Sequence, residues 1–291
     1  MECYIMWKEI AIAISNHTKK EFILKNSRSV GGGCINQAYQ LIGENNSYFV
    51  KLNSPHQWEM FRVEAIALRQ MYDTNTIRVP KPICTGYTDN HSYIVLEWLE
   101  FGRANNQSWQ TMGKHLAQLH QQGKDDKFGW DDNNTIGSTP QINDWVENWA
   151  DFFAEKRIGY QLKLASRKGA TFGNQNNIIE AIRAKLSHHH PQPSLVHGDL
   201  WGGNASFLAG GMPIIFDPAA YYGDREVDIA MTELFGGFPS AFYEGYNQQW
   251  QLDSGYAQRK TIYNLYHILN HYNLFGGGYA SQAQGMINRI L

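Results

Sequence analysis

The spacing of hydrophobic residues changes along the chain, from mainly strand-like patterns in the first third to mainly helical patterns in the rest. Apolar residues at helical steps predict a first helix over 4–15. Runs rich in β-branched and aromatic residues predict a hairpin over 29–42 and strands over 48–52 and 92–99. A second helical pattern, over 55–72, lies between these strands. The first third therefore predicts a small strand-rich unit that carries two helices.

The rest of the chain has apolar residues mainly at helical steps. Ser108 is placed as the N-cap of the first of these helices, and the Asp-, Asn- and Gly-rich stretch 121–141 is expected to be irregular. We therefore predict an α+β fold with a small β-rich N-terminal lobe over 1–99 and a larger, mainly helical C-terminal lobe over 104–291, joined by a hinge at about 97–103. The helices predicted in the second lobe are 109–120, 143–165, 176–186, 230–235, 241–250, 258–273 and 282–291.

Composition and charge narrow the class of protein. The 291 residues are 43% hydrophobic and 18% charged with a formal net charge of −2, which suits a globular protein and provides no basic surplus for nucleic acid or an anionic membrane. Cys3, Cys34 and Cys84 show no pairable spacing, which favours a reducing compartment; Cys34, in a glycine-rich turn, is also a candidate redox-sensitive thiol. The N-terminus lacks a secretory signal pattern, so we expect a cytoplasmic enzyme. The His-Pro stretch 188–191 is expected to be a solvated linker.

Three oxygen-bearing side chains follow strand-like runs in the second lobe. Asp199 lies in a His-Gly-Asp segment, Asn204 follows five residues later, and Asp217 ends an apolar run thirteen residues beyond Asn204. In kinases with an Asp and an Asn at this interval, the Asp accepts the proton of the attacking hydroxyl. The Asn and a second Asp hold Mg²⁺. A polar turn between two buried strands would not require these three side chains at these intervals. The spacing therefore indicates phosphoryl transfer from a nucleotide.

A glycine-rich turn and a lysine in the first lobe suit the phosphates of such a nucleotide. Backbone N–H groups of Gly31, Gly32 and Gly33 can approach phosphate oxygens closely. Lys51 ends the following strand, where its ammonium can reach the α- and β-phosphates, and Glu64 on the next helix can pair with it. Each feature has an ordinary alternative: a glycine hairpin, a solvated lysine, an exposed helix acid. Together with the downstream acids they favour nucleotide binding.

These motifs resemble the fructosamine kinase (ketosamine-3-kinase) family, which is related to the aminoglycoside and choline phosphotransferases. The His-Gly-Asp segment alone indicates the broader phosphotransferase group. The Gly-Gly-Gly-Cys-Ile, Asp-Leu-Trp-Gly-Gly-Asn and Gly-Asp-Arg-Glu-Val-Asp runs narrow the resemblance to the ketosamine kinases, and it extends across almost the whole chain. The segments that carry it are 31–36, 50–51, 96–99, 197–204, 216–219 and 222–230.

The resemblance implies a bilobal, protein-kinase-like fold and an enzyme that uses ATP and Mg²⁺. It implies transfer of the γ-phosphoryl group to a sugar hydroxyl of a ketosamine, such as fructosyl-lysine or ribulosyl-lysine. The family phosphorylates the hydroxyl on the third carbon, and the product then eliminates and frees the amine, which amounts to deglycation. The substrate is expected to be a small-molecule or protein-bound ketosamine. We expect a monomer with no nucleic-acid or membrane partner.

The resemblance also implies roles for individual residues. Asp199 would be the catalytic base, and Asn204 and Asp217 would hold Mg²⁺, whose preference for oxygen ligands suits them. Backbone groups where the lobes join would bind the adenine edge. The residues expected there are Glu97, Trp98 and Leu99.

Further residues are assigned to structural support and to the substrate. His197 would order the catalytic loop, and Asp228 would cap backbone amides of that loop. Trp201 stands where protein kinases carry a phosphate-steering lysine, and it could either wall the sugar site or fill the core. Trp130, followed by two acidic residues that could meet a cationic amine, is a second candidate for substrate contact.

Two alternatives stay open at this point. A phosphotransferase for another hydroxyl compound, such as an aminoglycoside or an amino alcohol, would use the same nucleotide site and differ in an acceptor pocket at about 124–172. A catalytically inactive nucleotide-binding module is the other alternative. The joint presence of Lys51, Asp199, Asn204 and Asp217 argues against it.

Overall fold

The computed structural model describes residues 2–31 and 36–291, and its first part is a five-stranded antiparallel sheet. The strands are β1 (Asn26–Val30), β2 (Gln37–Ile42), β3 (Ser47–Asn53), β4 (Pro82–Tyr87) and β5 (Ser92–Glu97). They lie in the order β1-β2-β3-β5-β4. Helix α1 (Glu2–Thr18) precedes the sheet, and a 3₁₀ turn (Pro55–Gln57) leads into α2 (Trp58–Asp73).

Both faces of this sheet are buried, because successive side chains of a strand point to opposite sides. Val50 and Val95 pack in one cluster with Ile10 of α1. Ile94 and Leu96 belong instead to a larger cluster that also contains α2 and the helical part of the chain. Helix α2 is therefore built into the core of the second lobe, whereas α1 covers the other face of the sheet.

The rest of the chain is mainly helical, with short strand pairs that carry its loops. Its helices are α3 (Asn106–Gln122), α4 (Trp149–Asp151), α5 (Tyr160–Arg167), α6 (Gln175–Leu186), α7 (Glu226–Leu234), α8 (Ser240–Gln249), α9 (Tyr256–Phe275) and α10 (Tyr279–Ile290), with a π-helix (Phe152–Gly159) between α4 and α5. Its strand pairs are β6 (Asn134–Ile136) with β7 (Thr139–Gln141), β8 (Ser194–Val196) with β11 (Tyr221–Gly223), and β9 (Ala205–Phe207) with β10 (Pro213–Ile215). The α+β composition agrees with the prediction, while the boundaries proposed for the two lobes stay a prediction.

One strand of the sheet gives no clear signal in the sequence. Strand β4 begins at Pro82, the last residue of the Val-Pro-Lys-Pro run 79–82. Proline has no N–H to donate, but it is accepted as the first residue of a strand and on a sheet edge, and β4 is an edge strand.

The start of α3 is also different from the prediction. Its N-cap is Asn105 and not Ser108. The Asn105 side chain accepts the backbone N–H of Ser108 at 2.8 Å, and the Ser108 hydroxyl accepts the backbone N–H of Asn105 at 3.3 Å. This reciprocal capping box satisfies donors that the first turn of a helix leaves without partners.

Two further segments in the middle of the second lobe differ from the prediction. The helix predicted from residue 143 begins only at Trp149, because Asn148 caps it there and accepts the backbone N–H of Asp151 at 3.1 Å. The stretch 121–141, expected to be irregular, contains the β6–β7 hairpin.

Across residues 2–31 and 36–291, no helix combines the length and apolar character that crossing a membrane requires.

Candidate functional site

Lys51 on β3 joins the two lobes at the candidate site. Its side chain is only 8% exposed, and Nζ lies 2.7 Å from Glu64 Oε1 on α2 and 2.6 Å from Asp217 Oδ1 after β10. Burial by itself would lower the pKa of Lys51, but the carboxylates of Asp217 and Glu64 raise it above its usual value. The lysine is therefore an ammonium, held between two acids at a fixed position.

The loop after β8 presents Asp199 through a close backbone contact. Gly198 has φ of +80°, and a Cβ at this position would lie 2.1 Å from the carbonyl oxygen of Ala219. A larger residue would therefore be strained and would also push the loop away from the segment after Asp217. Asn204 closes the loop, since its Nδ2 donates to the Asp199 carbonyl oxygen at 2.8 Å and to Asp199 Oδ2 at 3.2 Å.

The carboxyl group of Asp199 lies in a poorly solvated and negatively charged surrounding. Burial, and secondly the charge of Asp217, raise the pKa of Asp199 to about 7. The hydrogen bond from Asn204 acts in the opposite direction. A carboxylate whose pKa approaches neutrality is a better proton acceptor than an ordinary aspartate, and such shifts are frequent at catalytic sites.

Asp217 has a backbone conformation that few residues adopt. Its φ is +58°, in the left-handed region, and its side chain is 47% exposed. Phe216, directly before Asp217, and Ala219, two residues after it, are bonded to the loop after β8: Phe216 N–H donates to the Asn204 carbonyl at 3.0 Å, and Ala219 N–H donates to the His197 carbonyl at 2.9 Å. These bonds hold the carboxylate of Asp217 beside Lys51.

His197 and Asp228 lie fully buried beneath the loop. Asp228 accepts the backbone N–H groups of His197 at 2.7 Å and Gly198 at 2.8 Å, and its Oδ2 lies 3.1 Å from His120 Nε2. Burial alone would raise the pKa of Asp228, but the hydrogen bonds from His120 and His197 lower it below its usual value. His197 Nε2 lies 2.9 Å from the Phe216 carbonyl. These are the contacts expected of residues that support the loop.

A network of buried amide side chains holds the segment after Asp217 from the other side. Gln141 Nε2 donates to the Ala219 carbonyl at 3.0 Å, and Asn134 Nδ2 donates to the Ala220 carbonyl at 2.8 Å. Gln141 Nε2 also lies 2.8 Å from Asn134 Oδ1. Neither residue belongs to a recognisable motif, and both lie in the stretch 121–141 expected to be irregular. Their one signal is an amide on each of two short strands, at paired positions that face inward.

The two tryptophans assigned to the substrate lie in different environments. Trp201 is 41% exposed, its ring lies against Gly203, where a Cβ would approach it to 2.3 Å, and it meets Phe235 edge-on. Its exposure on the loop that carries Asp199 speaks against core filling. Trp130 is only 3% exposed, and its indole Nε1 donates to Gln70 Oε1 at 2.9 Å. This burial argues against Trp130 as a substrate contact, because packing in the core leaves little of the ring to touch a sugar.

The residues expected to bind adenine are Glu97, the last residue of β5, and the two residues that follow it. The N–H of Glu97 donates to the Lys81 carbonyl at 3.0 Å, and the Glu97 carboxylate accepts from the N–H of Lys81 and from Arg78, each at 2.5 Å. The backbone N–H of Glu97 therefore already has a hydrogen-bond acceptor within the protein. Trp98 and Leu99 are half-buried.

Part of the glycine-rich turn can be placed. Gly31 is exposed, and a Cβ there would meet nothing within 4 Å. The predictions for Gly32, Gly33 and the Cys34 thiol fall outside the described residues.

The histidine stretch before β8 is a solvated linker only in part: His188 and His190 are exposed, as expected, whereas His189 is half-buried and bonded. His189 Nε2 lies 2.7 Å from Asp224 Oδ2, and Asp224 also accepts the hydroxyl of Tyr263 at 2.5 Å. Glu226 is bonded by both Nε and Nη2 of Arg259 at 2.8 Å. The Asp-Arg-Glu run 224–226 is thus buried, and its acids are satisfied by these partners.

The oxygen atoms at the centre of the site fit a divalent cation. Lys51 uses Oδ1 of Asp217, which leaves Oδ2 of this half-exposed carboxylate to ligate. Both hydrogen bonds of the Asn204 side chain to Asp199 use Nδ2, which leaves its Oδ1 available to ligate. Carboxylate and amide oxygens are the donors that Mg²⁺ prefers, usually in combination with phosphate oxygens. With the ammonium of Lys51, the arrangement can bind a polyphosphate beside the carboxylate of Asp199.

Comparison with known proteins identifies relatives along the whole chain. The fructosamine kinase family model matches residues 6–291. A Synechocystis protein named probable ketoamine kinase is 56% identical over 285 residues, covering 98% of this chain and 97% of the relative. The chloroplastic protein-ribulosamine 3-kinase of Arabidopsis thaliana is 42% identical over 293 residues, covering 96% of this chain and 89% of the relative.

Solved structures give the same result for the fold. A fructosamine-3-kinase-like protein of Haemophilus somnus superposes with a TM-score of 0.93 at 37% identity, covering 98% of this chain and 97% of that one. A more distant aminoglycoside phosphotransferase has a TM-score of 0.62 at 13% identity, covering 96% of this chain and 98% of that one, and at this identity it shows the fold alone. The predicted bilobal, protein-kinase-like fold is confirmed.

Proposed function

Because the chain belongs to the fructosamine kinase family, we propose that it transfers the γ-phosphoryl group of ATP to a sugar hydroxyl of a ketosamine. The substrate class is a fructosyl- or ribulosyl-amine, free or attached to a protein, as the names of the relatives suggest. Phosphorylation at the third carbon would be followed by elimination and release of the amine, so the biological result would be deglycation.

The observation that carries this proposal is the position of Asp199 next to a charged phosphate site. Asp199 Oδ2 accepts a hydrogen bond from Asn204 Nδ2 at 3.2 Å. The segment around Asp217 is hydrogen-bonded to the same loop, and Asp217 Oδ1 lies 2.6 Å from Lys51 Nζ. Phosphoryl transfer requires little covalent chemistry from the protein and depends on positioning and charge. A proton acceptor beside a phosphate-binding cation provides both.

Each residue then has a defined task. Lys51, held by Glu64, binds the α- and β-phosphates, and the exposed Gly31 lets the backbone approach them. The backbone of Trp98 and Leu99 binds the adenine edge. The N–H of Glu97 already donates to the Lys81 carbonyl, so Glu97 offers adenine only its carbonyl oxygen. Asp199 orients the acceptor hydroxyl and takes up its proton as the new O–P bond forms and the bond to the ADP oxygen breaks.

Asn204 and Asp217 would hold Mg²⁺ through the oxygen atoms described above. A bound Mg²⁺ supplies positive charge that neutralises the phosphate oxygens and orients them. The protein contributes the fixed positions of the two side chains, and it leaves room for phosphate and water oxygens because Asp217 is half-exposed.

Trp201 is the proposed wall of the sugar site. Its exposed ring stands on the same loop as Asp199, separated from it in sequence by Leu200 alone. An aromatic face suits the apolar C–H surface of a sugar. A monomeric, cytoplasmic enzyme, expected from the sequence, stays a prediction.

The substrate class is tested by a panel of acceptors with Mg·ATP, followed by ³¹P NMR. Phosphate transfer to fructosyl-lysine and ribulosyl-lysine, with none to kanamycin or choline, is the expected result. Transfer to kanamycin or choline alone would replace the proposal by a phosphotransferase for another hydroxyl compound. Binding of ATP without transfer to any acceptor would favour the inactive nucleotide-binding module.

Asp217→Asn tests the metal-binding assignment. Asparagine tolerates the left-handed backbone of Asp217 better than alanine does, so the change removes the negative charge with little strain. We expect the Mg²⁺ concentration for half-maximal activity to rise by at least about tenfold, the scale found for disturbed metal sites. Activity is measured by ADP release over a Mg²⁺ titration, with Asp131→Asn as the exposed acid control. An unchanged Mg²⁺ requirement would contradict the assignment.

A further inference from the structure

Helix α2, which carries Glu64, is bonded to the second lobe at two points on either side of that residue. Arg62 Nη2 lies 2.7 Å from Asp132 Oδ1, and Gln70 Oε1 accepts the indole N–H of Trp130 at 2.9 Å. The two anchor positions are eight residues apart, which corresponds to about 12 Å of helix. Both partners belong to the connection between α3 and β6, so one segment of the second lobe holds α2 along this length.

The two contacts differ in strength. The Arg62–Asp132 pair is 30% and 34% exposed, and Arg62 is shared with Glu59 on its own helix, so solvent screens much of this attraction. Trp130 is 3% exposed and packs in the same core as Phe61 and Leu68 of α2. Its hydrogen bond is therefore shielded from water, and breaking it leaves a polar group of Gln70 without its partner in a half-buried position.

Packing sets the general position of a helix, but apolar contacts are not directional. A hydrogen bond between α2 and the second lobe adds a directional constraint on the axial and rotational position of α2. Glu64 lies on the same helix and meets Lys51 at 2.7 Å with 11% exposure, so a small shift of α2 changes that distance directly.

We propose that Trp130 is a positioning residue for the phosphate-binding lysine, acting through Gln70, α2 and Glu64. It takes no part in contacting the substrate. The enzyme thus keeps the Lys51–Glu64 pair formed by a permanent contact between α2 and the second lobe. This inference rests on the proposed role of Lys51 and Glu64 in binding ATP.

Trp130→Phe tests the inference because it removes the indole N–H and keeps an aromatic ring; it also leaves a small cavity in the core, which Gln70→Leu does not. We expect KM for ATP to rise by about 2- to 10-fold, the range that corresponds to one hydrogen bond, with a smaller change in kcat. Trp145→Phe is the matched control. Trp145 lies close by in sequence and bonds to Asp131 at 3.3 Å, outside α2, so its removal should leave KM for ATP unchanged.

A double-mutant cycle with Glu64→Gln separates positioning from a general loss of structure. If Trp130 acts through Glu64, Trp130→Phe has no further effect on KM for ATP in the Glu64→Gln background. An equal rise in both backgrounds would overturn the proposal. Gln70→Leu, on the half-buried surface of α2, should raise KM for ATP as Trp130→Phe does. Combining the two changes should give no further rise. If Trp130→Phe folds poorly, Gln70→Leu replaces it in the cycle.

The cycle also distinguishes a wrong role of the Lys51–Glu64 pair from a wrong positioning role of Trp130. If Glu64→Gln itself leaves KM for ATP unchanged, the proposed role of the Lys51–Glu64 pair fails, and the positioning role fails with it. If Glu64→Gln raises KM and neither Trp130→Phe nor Gln70→Leu does, the site assignment stands and only the positioning role of Trp130 is wrong.

Discussion

Replacement of Asp199 by asparagine is expected to lower kcat by about 10²- to 10⁴-fold, the usual contribution of general acid–base catalysis, while Mg·ATP affinity changes by less than about threefold. Asparagine has nearly the same shape and can still bond to Asn204, but it cannot take up the proton of the acceptor hydroxyl. The measurements are single-turnover phosphate transfer for chemistry and calorimetry with a non-hydrolysable ATP analogue for binding.

This separation of chemistry from binding decides the role of Asp199. Asp126→Asn, at an exposed position in the second lobe, is the control and should retain full activity. A parallel loss of nucleotide affinity and turnover in Asp199→Asn would mean that the residue maintains the loop and does not act on the substrate.

Asp228→Asn is expected to destabilise the protein by about 3–5 kcal/mol, because breaking a buried, hydrogen-bonded charge network leaves its partners without an acceptor. The fully buried carboxylate accepts the N–H groups of His197 and Gly198 and lies 3.1 Å from His120 Nε2. An asparagine keeps one acceptor oxygen and points an NH₂ group at one of these donors. The loss should appear as a Tm lower by roughly 5–15 °C in calorimetry.

The pH dependence gives a second test of the same residue. The folded-state pKa of Asp228 lies below its usual value, so its ionisation stabilises the fold above about pH 4 and this contribution is lost as the pH falls through the folded-state pKa. The difference in Tm between the parent and Asp228→Asn should therefore shrink in acid. Glu147→Gln, which removes an 84% exposed partner of Lys127, should change Tm very little. A Tm of Asp228→Asn equal to that of the parent would refute the capping role.

Local patterns predicted the elements of the fold with good accuracy where they were long or strongly periodic. The helices now described as α1, α2, α9 and α10 all overlap their predicted ranges. Boundaries were less reliable, as the cap at Asn105 shows, because Asn and Ser are both good capping residues and only the backbone geometry selects one. Strand β4 was missed because its proline suppressed the strand signal.

The candidate site was predictable where its chemistry is local in sequence. Asp199 and Asn204 lie five residues apart in one loop, and their hydrogen bonds follow from that short separation. The Lys51–Glu64 pair was also inferred from residue types and spacing. Gln141, which bonds to the Ala219 carbonyl from 78 residues away, offered no motif, and amides of this kind are common throughout soluble proteins.

The sequence by itself determined the chemical groups, the elements that carry them and the family to which they belong, since side-chain chemistry and short-range spacing are properties of the covalent chain. Only the tertiary structure decided that Lys51 meets Asp217 across 166 residues, that Trp130 is buried against α2, and that His189 binds Asp224. Burial and contacts between distant segments depend on how the whole chain packs, and no local pattern encodes them.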